Sequence, residues 1–330
     1  MLRVPFSELT STLAAILVRI GFDPARAEHC ARLFAETTRD GVYSHGVERF
    51  PRFLEMIQNG SVHIHASPER TQQLGAIERW DGRRGPGNLN AWSSMARAID
   101  ISGEHGIGCV VLANTNHWMR GGTYGWQAAD AGRIGICWTN TLANLPPWGA
   151  AVPAIGNNPL IIAVPRPAGH VVLDMAMSQF SYGALATYAQ KHQPLPVDGG
   201  FDTTGNLTRD AAAVEVSQRP LPIGYWKGSG LAMMLDMVAA LLSGGLATHQ
   251  IPTEPVRETS LSQVFLAMDI AKLQPPEESA RTADAIVDSV LTSNPGAVRY
   301  PGEQVLKTRA ENLALGLPVR EELWAGLGRL

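Results

Sequence analysis

The sequence predicts an α/β protein with helical ends, and three observations carry that prediction. Between residues 76 and 139, strand-like apolar runs alternate with helix-period segments, the pattern of a sheet covered by helices. Residues 7–34 and the segment after Arg281 read instead as helices without strands. With 330 residues, 45% hydrophobic and 17% charged, the chain exceeds one minimal domain and can bury a large core.

Taken in order, Leu9, Leu13, Ile16, Leu17 and Ile20 share one face of a helix over 7–20, with Ser7 as its cap and Gly21 as its stop. Asp23-Pro24 opens a second helix whose apolar stripe is Ala27, Cys30, Ala31 and Phe34. Pro51 sits badly in a helix interior, so a helix begins near it or kinks there. From about residue 73 the pattern changes. Residues 76–80 alternate as a strand and end in an Asp81-Gly82 turn. A helix over 89–105 buries Trp92, Met95, Ala96 and Ile99 and stops at Gly106, and a buried strand follows at 107–112. A short helix over 124–131, closed by Gly132, leads to a strand at 134–139. Strands near 159–164 and 170–175 precede a helix near 178–190. Residues 193–228, rich in Gly, Pro and Asp, read as mostly loop, and a helix over 229–242 and a strand over 262–269 complete the core.

Charge and cysteine usage narrow the classes of function. A net charge of -3 leaves no electrostatic footprint for nucleic acid. Cys30, Cys109 and Cys137 are odd in number, widely spaced and set in apolar runs, which suits buried thiols of a reducing compartment. Glu8 interrupts the N-terminal segment, so no signal peptide is expected. The longest apolar run, 231–242, carries Asp236 and is too short to span a bilayer. A cytoplasmic protein with no membrane partner is expected.

Chemistry-bearing residues concentrate first in the stretch 43–53. There His45 can give a proton to an oxygen becoming a hydroxyl, while Arg49, four positions on, can grip a neighbouring carboxylate in a fork. If the segment were helical, both would share one face. The same residues equally describe a turn histidine with Arg49 and Arg52 as solvated charges. Residues 114–122 follow the end of a buried strand, where α/β folds place ligands, and offer His117 as a second imidazole beside Trp118. Cys137-Trp138-Thr139-Asn140-Thr141 leaves another strand in the same way. Asp174 ends the strand 171–175; it could accept ribose hydroxyls and repel a 2′-phosphate, or cap a helix. Gly224-Tyr225-Trp226-Lys227-Gly228-Ser229-Gly230 joins a cation to a helix start and suits a pyrophosphate or ribose. Tyr300-Pro301-Gly302-Glu303-Gln304 is a weaker turn of that kind. Gly85-Pro86-Gly87 lacks the third glycine of a dinucleotide fingerprint and reads as a turn opening a helix. His63 and His65 lack a third metal ligand and read as loop polarity, so no metal site is expected.

These segments together resemble the type 2 malate/L-lactate dehydrogenases, which include ureidoglycolate and sulfolactate dehydrogenases. The likeness rests on the stretches 41–53, 116–129, 135–140, 195–208 and 221–230 and runs almost end to end. It implies a non-Rossmann NAD(P)-binding mixed-sheet domain of the L-sulfolactate dehydrogenase kind, at 73–275. A helical part over 1–72 would carry the catalytic histidine and pack with C-terminal helices over 276–330. It implies a homodimer with sites near the subunit interface. The family's proton donor falls on His45, although some relatives assign that role to the histidine matching His117. Cofactor contacts fall on His170, Val171, Val172, Leu173, Asp174, Met175 and Ala176, on Trp226 and Lys227, and on Gly302, Glu303 and Gln304. A relative carries Gly-His-Glu at the last three positions, so contacts there depart in detail.

The activity implied is reduction of a 2-keto sugar acid by NADH rather than NADPH, in its sharpest form 2,3-diketo-L-gulonate to 3-keto-L-gulonate. Alternatives are a dehydrogenase of another 2-hydroxy acid (malate, lactate, ureidoglycolate, sulfolactate), a cyclic imino acid reductase, or a non-catalytic sugar-acid or nucleotide binder.

Overall fold

The alternation read between residues 76 and 139 builds the centre of the molecule. The computed structural model describes residues 1–253 and 258–329. Its strands are β1 (Leu2–Val4), β2 (Glu69–Leu74), β3 (Ile77–Asp81), β4 (Ile107–Asn116), β5 (Ile134–Thr139), β6 (Leu160–Val164), β7 (Val171–Met175), β8 (Gly200–Phe201), β9 (Leu207–Thr208), β10 (Thr259–Met268) and β11 (Leu317–Val319). Its α-helices are α1 (Phe6–Arg19), α2 (Pro24–Arg39), α3 (Phe50–Gln58), α4 (Gly87–His105), α5 (Gly122–Asp130), α6 (Tyr182–Gln190), α7 (Ala211–Ser217), α8 (Trp226–Ser243), α9 (Pro276–Thr292), α10 (Glu303–Leu315) and α11 (Glu321–Leu327).

Among the described residues, one seven-stranded sheet runs in the order β2-β3-β4-β10-β5-β6-β7. β3 and β4 are parallel, with α4 as the crossover between them. The other neighbours in this sheet pair antiparallel. Successive side chains of a strand point to opposite faces, and at the centre of the sheet, in β4, β10 and β5, both faces are covered. Val110, Leu112, Cys137, Phe265 and Ala267 meet Met95 and Ala98 of α4 and Tyr124 and Trp126 of α5. On the other face Cys109, Val111, Trp138 and Val264 meet Ala232, Leu235 and Ala239 of α8. Double coverage is why these strands read as unbroken apolar runs.

A second core joins the chain ends. Leu9, Leu13 and Leu17 of α1 are fully buried against Phe34 of α2, Phe50 and Phe53 of α3, and Leu317, Val319 and Leu327 near the C-terminus. Each such aliphatic side chain contributes about 1.5–3 kcal/mol relative to exposure. β1 pairs antiparallel with β11, Leu2 opposite Val319, and ties the ends together.

Several local expectations shift. Ser7 does not cap α1, because the helix begins at Phe6 behind Pro5, whose φ of -54° already suits a helix entry. Ile20 falls past the helix end and is exposed. Asp23 does cap α2, accepting from Ala25 N at 3.0 Å and Arg26 N at 3.3 Å. The buried stripe of α4 is Ala91, Met95, Ala98 and Ile101. Trp92, read as core, lies half-buried between the two cores, where His29 meets its ring edge-on at 5.2 Å. The stretch 193–228 is less irregular than its composition suggests: β8 pairs with β9, and Asp210 caps α7. The three cysteines are free and buried. No helix among the described residues is long and apolar enough to cross a membrane.

Candidate active site

The stretch 43–53 is bent, not helical. Two 3-10 turns, Tyr43–His45 and Val47–Arg49, flank Gly46, and α3 then starts with Pro51 in its first turn, where a missing N–H is harmless. Helical pairing of His45 with Arg49 therefore does not occur; the turns bring them to one cleft by another route. Gly46 is required here because a Cβ would run into Thr38 Oγ1, which itself accepts Val47 N at 2.8 Å. The opposite wall comes from the end of β4. Asn116 Nδ2 donates to the carbonyls of Arg84 at 2.8 Å and Gly85 at 3.0 Å, fixing the strand end from which His117 projects. Gly87, the first residue of α4, leaves room for the carbonyls of Asn116 and His117, which a Cβ would strike.

The cleft between these walls has a volume of about 690 Å³ and is lined by His45, Arg49, Arg52, His117, Arg120, Asp174 and Glu258, among others. The two imidazoles stack, with ring centres 5.7 Å apart and planes 24° from parallel. Their Nδ1 atoms have different partners. His117 Nδ1 accepts the Met119 backbone N–H at 3.0 Å, so the neutral ring carries its proton on Nε2. His45 Nδ1 lies 3.0 Å from the Ser44 hydroxyl, which can donate or accept. Burial, then the Arg49 and Arg120 charges, hold the His45 pKa down at about 4. Burial holds His117 well below the ordinary value, reinforced by Arg49, His45 and Arg52. Both rings are neutral at pH 7 in the free protein.

Two charge systems border them. Glu258 Oε2 reaches Arg49 Nη2 at 3.3 Å and Arg52 Nη2 at 3.7 Å. Deeper, the Asp40 carboxylate accepts from Arg39 at 2.8 Å, from Arg309 through two nitrogens at 2.8 Å, and from Arg120 Nη1 at 2.7 Å. Arg120 is 3% exposed, and its Nε faces Asp174 Oδ2 at 3.7 Å. Asp174 Oδ2 also accepts Gly122 N at 2.9 Å, at the start of α5. Asp174 is open to the cleft, yet the protein atoms crowded around its carboxyl push its pKa up, against the pull of Arg120 and the Gly122 N–H.

A family model described as malate/L-lactate dehydrogenase matches residues 4–328. The chain belongs to the malate/L-lactate dehydrogenase family. It is 46% identical to a protein of Escherichia coli (strain SE11) named 2,3-diketo-L-gulonate reductase, over all of both chains, and equally to one of that name from Shigella flexneri. Its structure resembles malate dehydrogenase from Pyrococcus horikoshii OT3, with TM-score 0.90, 26% identity, and 99% and 94% of the two chains covered. Sulfolactate dehydrogenase from Methanocaldococcus jannaschii gives 0.91 and 25%, covering 99% and 96%. This chain is thus an oxidoreductase built on the fold those dehydrogenases share.

The residues that the family resemblance assigns to a cofactor divide in this member. Val172, Leu173, Asp174, Ala176 and Gly302 line the cleft. The others are not among the residues that line it. His170 accepts Arg166 N at Nδ1 and meets Asp130 at Nε2, both at 3.0 Å. Met175 packs against the core under α8, and Val171 pairs with Val164 along the sheet edge. Glu303 is paired with Lys307, and Gln304 bonds to Arg299 and Thr308. Trp226 and Lys227 begin α8 outside the cleft, Trp226 at 67% exposed. Sequence reasoning passed over Asp40, Arg120 and Glu258. Arg120 sits two residues from Trp118 in a stretch already under suspicion, which is a usable signal. Asp40 and Glu258 give none, because their partners lie up to 269 and 209 residues away.

Proposed function

We propose that this chain reduces 2,3-diketo-L-gulonate to 3-keto-L-gulonate with NADH, using His45 as proton donor and Arg49 as the carboxylate clamp. The substrate reading is supported by 46% identity over full length to proteins named 2,3-diketo-L-gulonate reductase. The observation that carries the proton-donor reading is the Nδ1 partner of each histidine. To become an imidazolium, His117 would have to carry a proton on Nδ1, facing the Met119 N–H that already donates there. His45 has no such conflict, because Ser44 Oγ can turn and accept.

A nicotinamide cofactor, when bound, supplies the hydride to C2. The cleft residues fit one: Val172, Leu173 and Val305 give an apolar wall, and the Asp174 carboxylate beside them could accept ribose hydroxyls and would repel a 2′-phosphate. That arrangement supports NADH over NADPH. Trp226 and Lys227 join the site only if a second copy brings them there. A homodimer through α8 is supported by Trp226, Met233, Met237 and Leu241, which form one exposed apolar stripe along it. Three buried thiols agree with a cytoplasmic protein.

Nicotinamide absorbance tests the reading, with 2,3-diketo-L-gulonate compared against pyruvate, oxaloacetate, sulfopyruvate and cyclic imino acids. The diketo acid should give the highest kcat/KM. NADH binding without turnover of any of them would make the chain a binder. His45→Ala should lose about 10²–10⁴-fold in kcat while still binding NADH, and His117→Ala should act mainly on KM. For reduction, kcat/KM should fall as pH rises above about 4, the value His45 holds in the free protein, and oxidation should show the reverse. Loss of kcat and of its pH dependence in His117→Ala alone would reverse the assignment.

A further inference from the structure

We propose that Glu258 is a displaceable stand-in for the substrate carboxylate: its side chain occupies the Arg49–Arg52 pair and is driven off by an incoming carboxylate. The proposal rests on the reading of Arg49 as the clamp. The arginines and both histidines line the same cleft as Glu258, which is nearly buried there. A glutamate side chain ends in the group that a 2-keto acid presents, so both compete for the same guanidinium donors.

The contact has the geometry of an exchangeable pair. Glu258 touches both arginines through the single atom Oε2, at 3.3 and 3.7 Å. Two buried ion pairs elsewhere are tighter and forked: Arg97 grips both oxygens of Glu78 at 2.8–3.2 Å, and Arg309 grips both oxygens of Asp40 at 2.8 Å. Glu258 also stands on strained backbone. Its φ is +67°, a left-handed conformation that residues with a Cβ rarely adopt, just before β10 begins at Thr259. Strain of this kind gathers where a residue has a task besides packing.

Substrate selection follows. With Glu258 in place, its carboxylate already occupies donors of both arginines. A ligand must bring a carboxylate able to replace that of Glu258, so ketones without an anionic group gain nothing from the pair. Removing the Glu258 charge takes one competing carboxylate from the arginines and should raise the affinity for any small carboxylate, including ones that are not substrates.

Calorimetric titration of the full chain with oxalate, and with neutral oxamide as control, tests this without turnover. Glu258→Gln should bind oxalate about fivefold or more tightly than the unsubstituted protein, with oxamide unchanged. A loss of structure would weaken oxalate binding, so tightening cannot come from a damaged fold. Unchanged or weaker oxalate binding overturns the proposal, as does oxalate binding too weak to measure in both proteins. Should Glu258→Gln fail to fold, Glu258→Asp, whose carboxylate is one methylene shorter, should still tighten oxalate, and equal or weaker binding there overturns the proposal too. Arg49→Ala separates the two ideas. If it leaves oxalate affinity intact, the clamp is misassigned and the stand-in falls with it. If it abolishes oxalate binding while Glu258→Gln brings no gain, the clamp stands and the stand-in alone is refuted.

Discussion

Replacing Asp40 by Asn should destabilise the protein by about 2.5–5 kcal/mol. The carboxylate is 3% exposed and is shared by Arg39, Arg120 and Arg309. Burial alone would push its pKa up, but hydrogen bonds from Arg309 and the charges of Arg120 and Arg39 prevail and hold it down at about 2, against an ordinary 3.8. That difference corresponds to about 2.4 kcal/mol at about 1.36 kcal/mol per pH unit. The upper figure reflects what Asn leaves behind: Arg120, 3% exposed, keeps a full charge with its main acceptor neutralised. Because the folded-state pKa is depressed, this stabilisation is fully present above pH 3.8 and is lost as pH falls through about 2. Urea midpoints of the two proteins should therefore differ by a constant amount from pH 5 to 8, as an order-of-magnitude window, and converge in acid. The same change frees Arg120 in the cleft and should weaken cofactor or substrate binding. A loss below about 1 kcal/mol, the scale of an exposed pair, would refute the reasoning, as would a difference that persists undiminished in acid.

Three further outcomes are expected. Arg49→Ala should raise KM for the 2-keto acid about 10- to 150-fold, the scale of a charge-assisted hydrogen bond, with NADH affinity nearly constant in fluorescence titration. Asp174→Ser should narrow the preference for NADH over NADPH; because Asp174 also accepts Gly122 N at 2.9 Å, a fall in thermal stability without any change in preference would leave it a helix cap alone. Met237→Glu, in the exposed stripe of α8, should shift a dimer toward monomer in sedimentation and lower activity at low protein concentration; an unaltered dimer would place the interface elsewhere.

Much of the fold is legible in local patterns. The turn after β3, the cap at Asp23 and the left-handed stop at Gly106 (φ +83°) are set by residues within one helical turn of the event they control. The buried strands announce themselves because both faces of β4, β5 and β10 are covered, so no polar alternation interrupts them. Trp92 misleads because a large side chain between two cores satisfies the helical period of either.

The candidate site divides in the same way. His45, Arg49, His117 and Asp174 are visible because proton transfer and carboxylate binding need those side-chain types, and each sits at a turn or strand end. How they meet was decided by tertiary structure. His45 and His117 stack because Gly46 lets the Tyr43–Arg49 turns close on Thr38 and Gly87 lets α4 approach the end of β4. β10 lies between β4 and β5 although some 120 residues separate it from β5, and it carries Glu258 at its entrance to the arginines. Residue type and short-range spacing follow from the chain itself. The charge around each imidazole depends on groups such as Asp40, Arg120 and Glu258, and only the packed chain fixes those distances, since electrostatic energy varies with separation in space and with burial, not with separation in sequence.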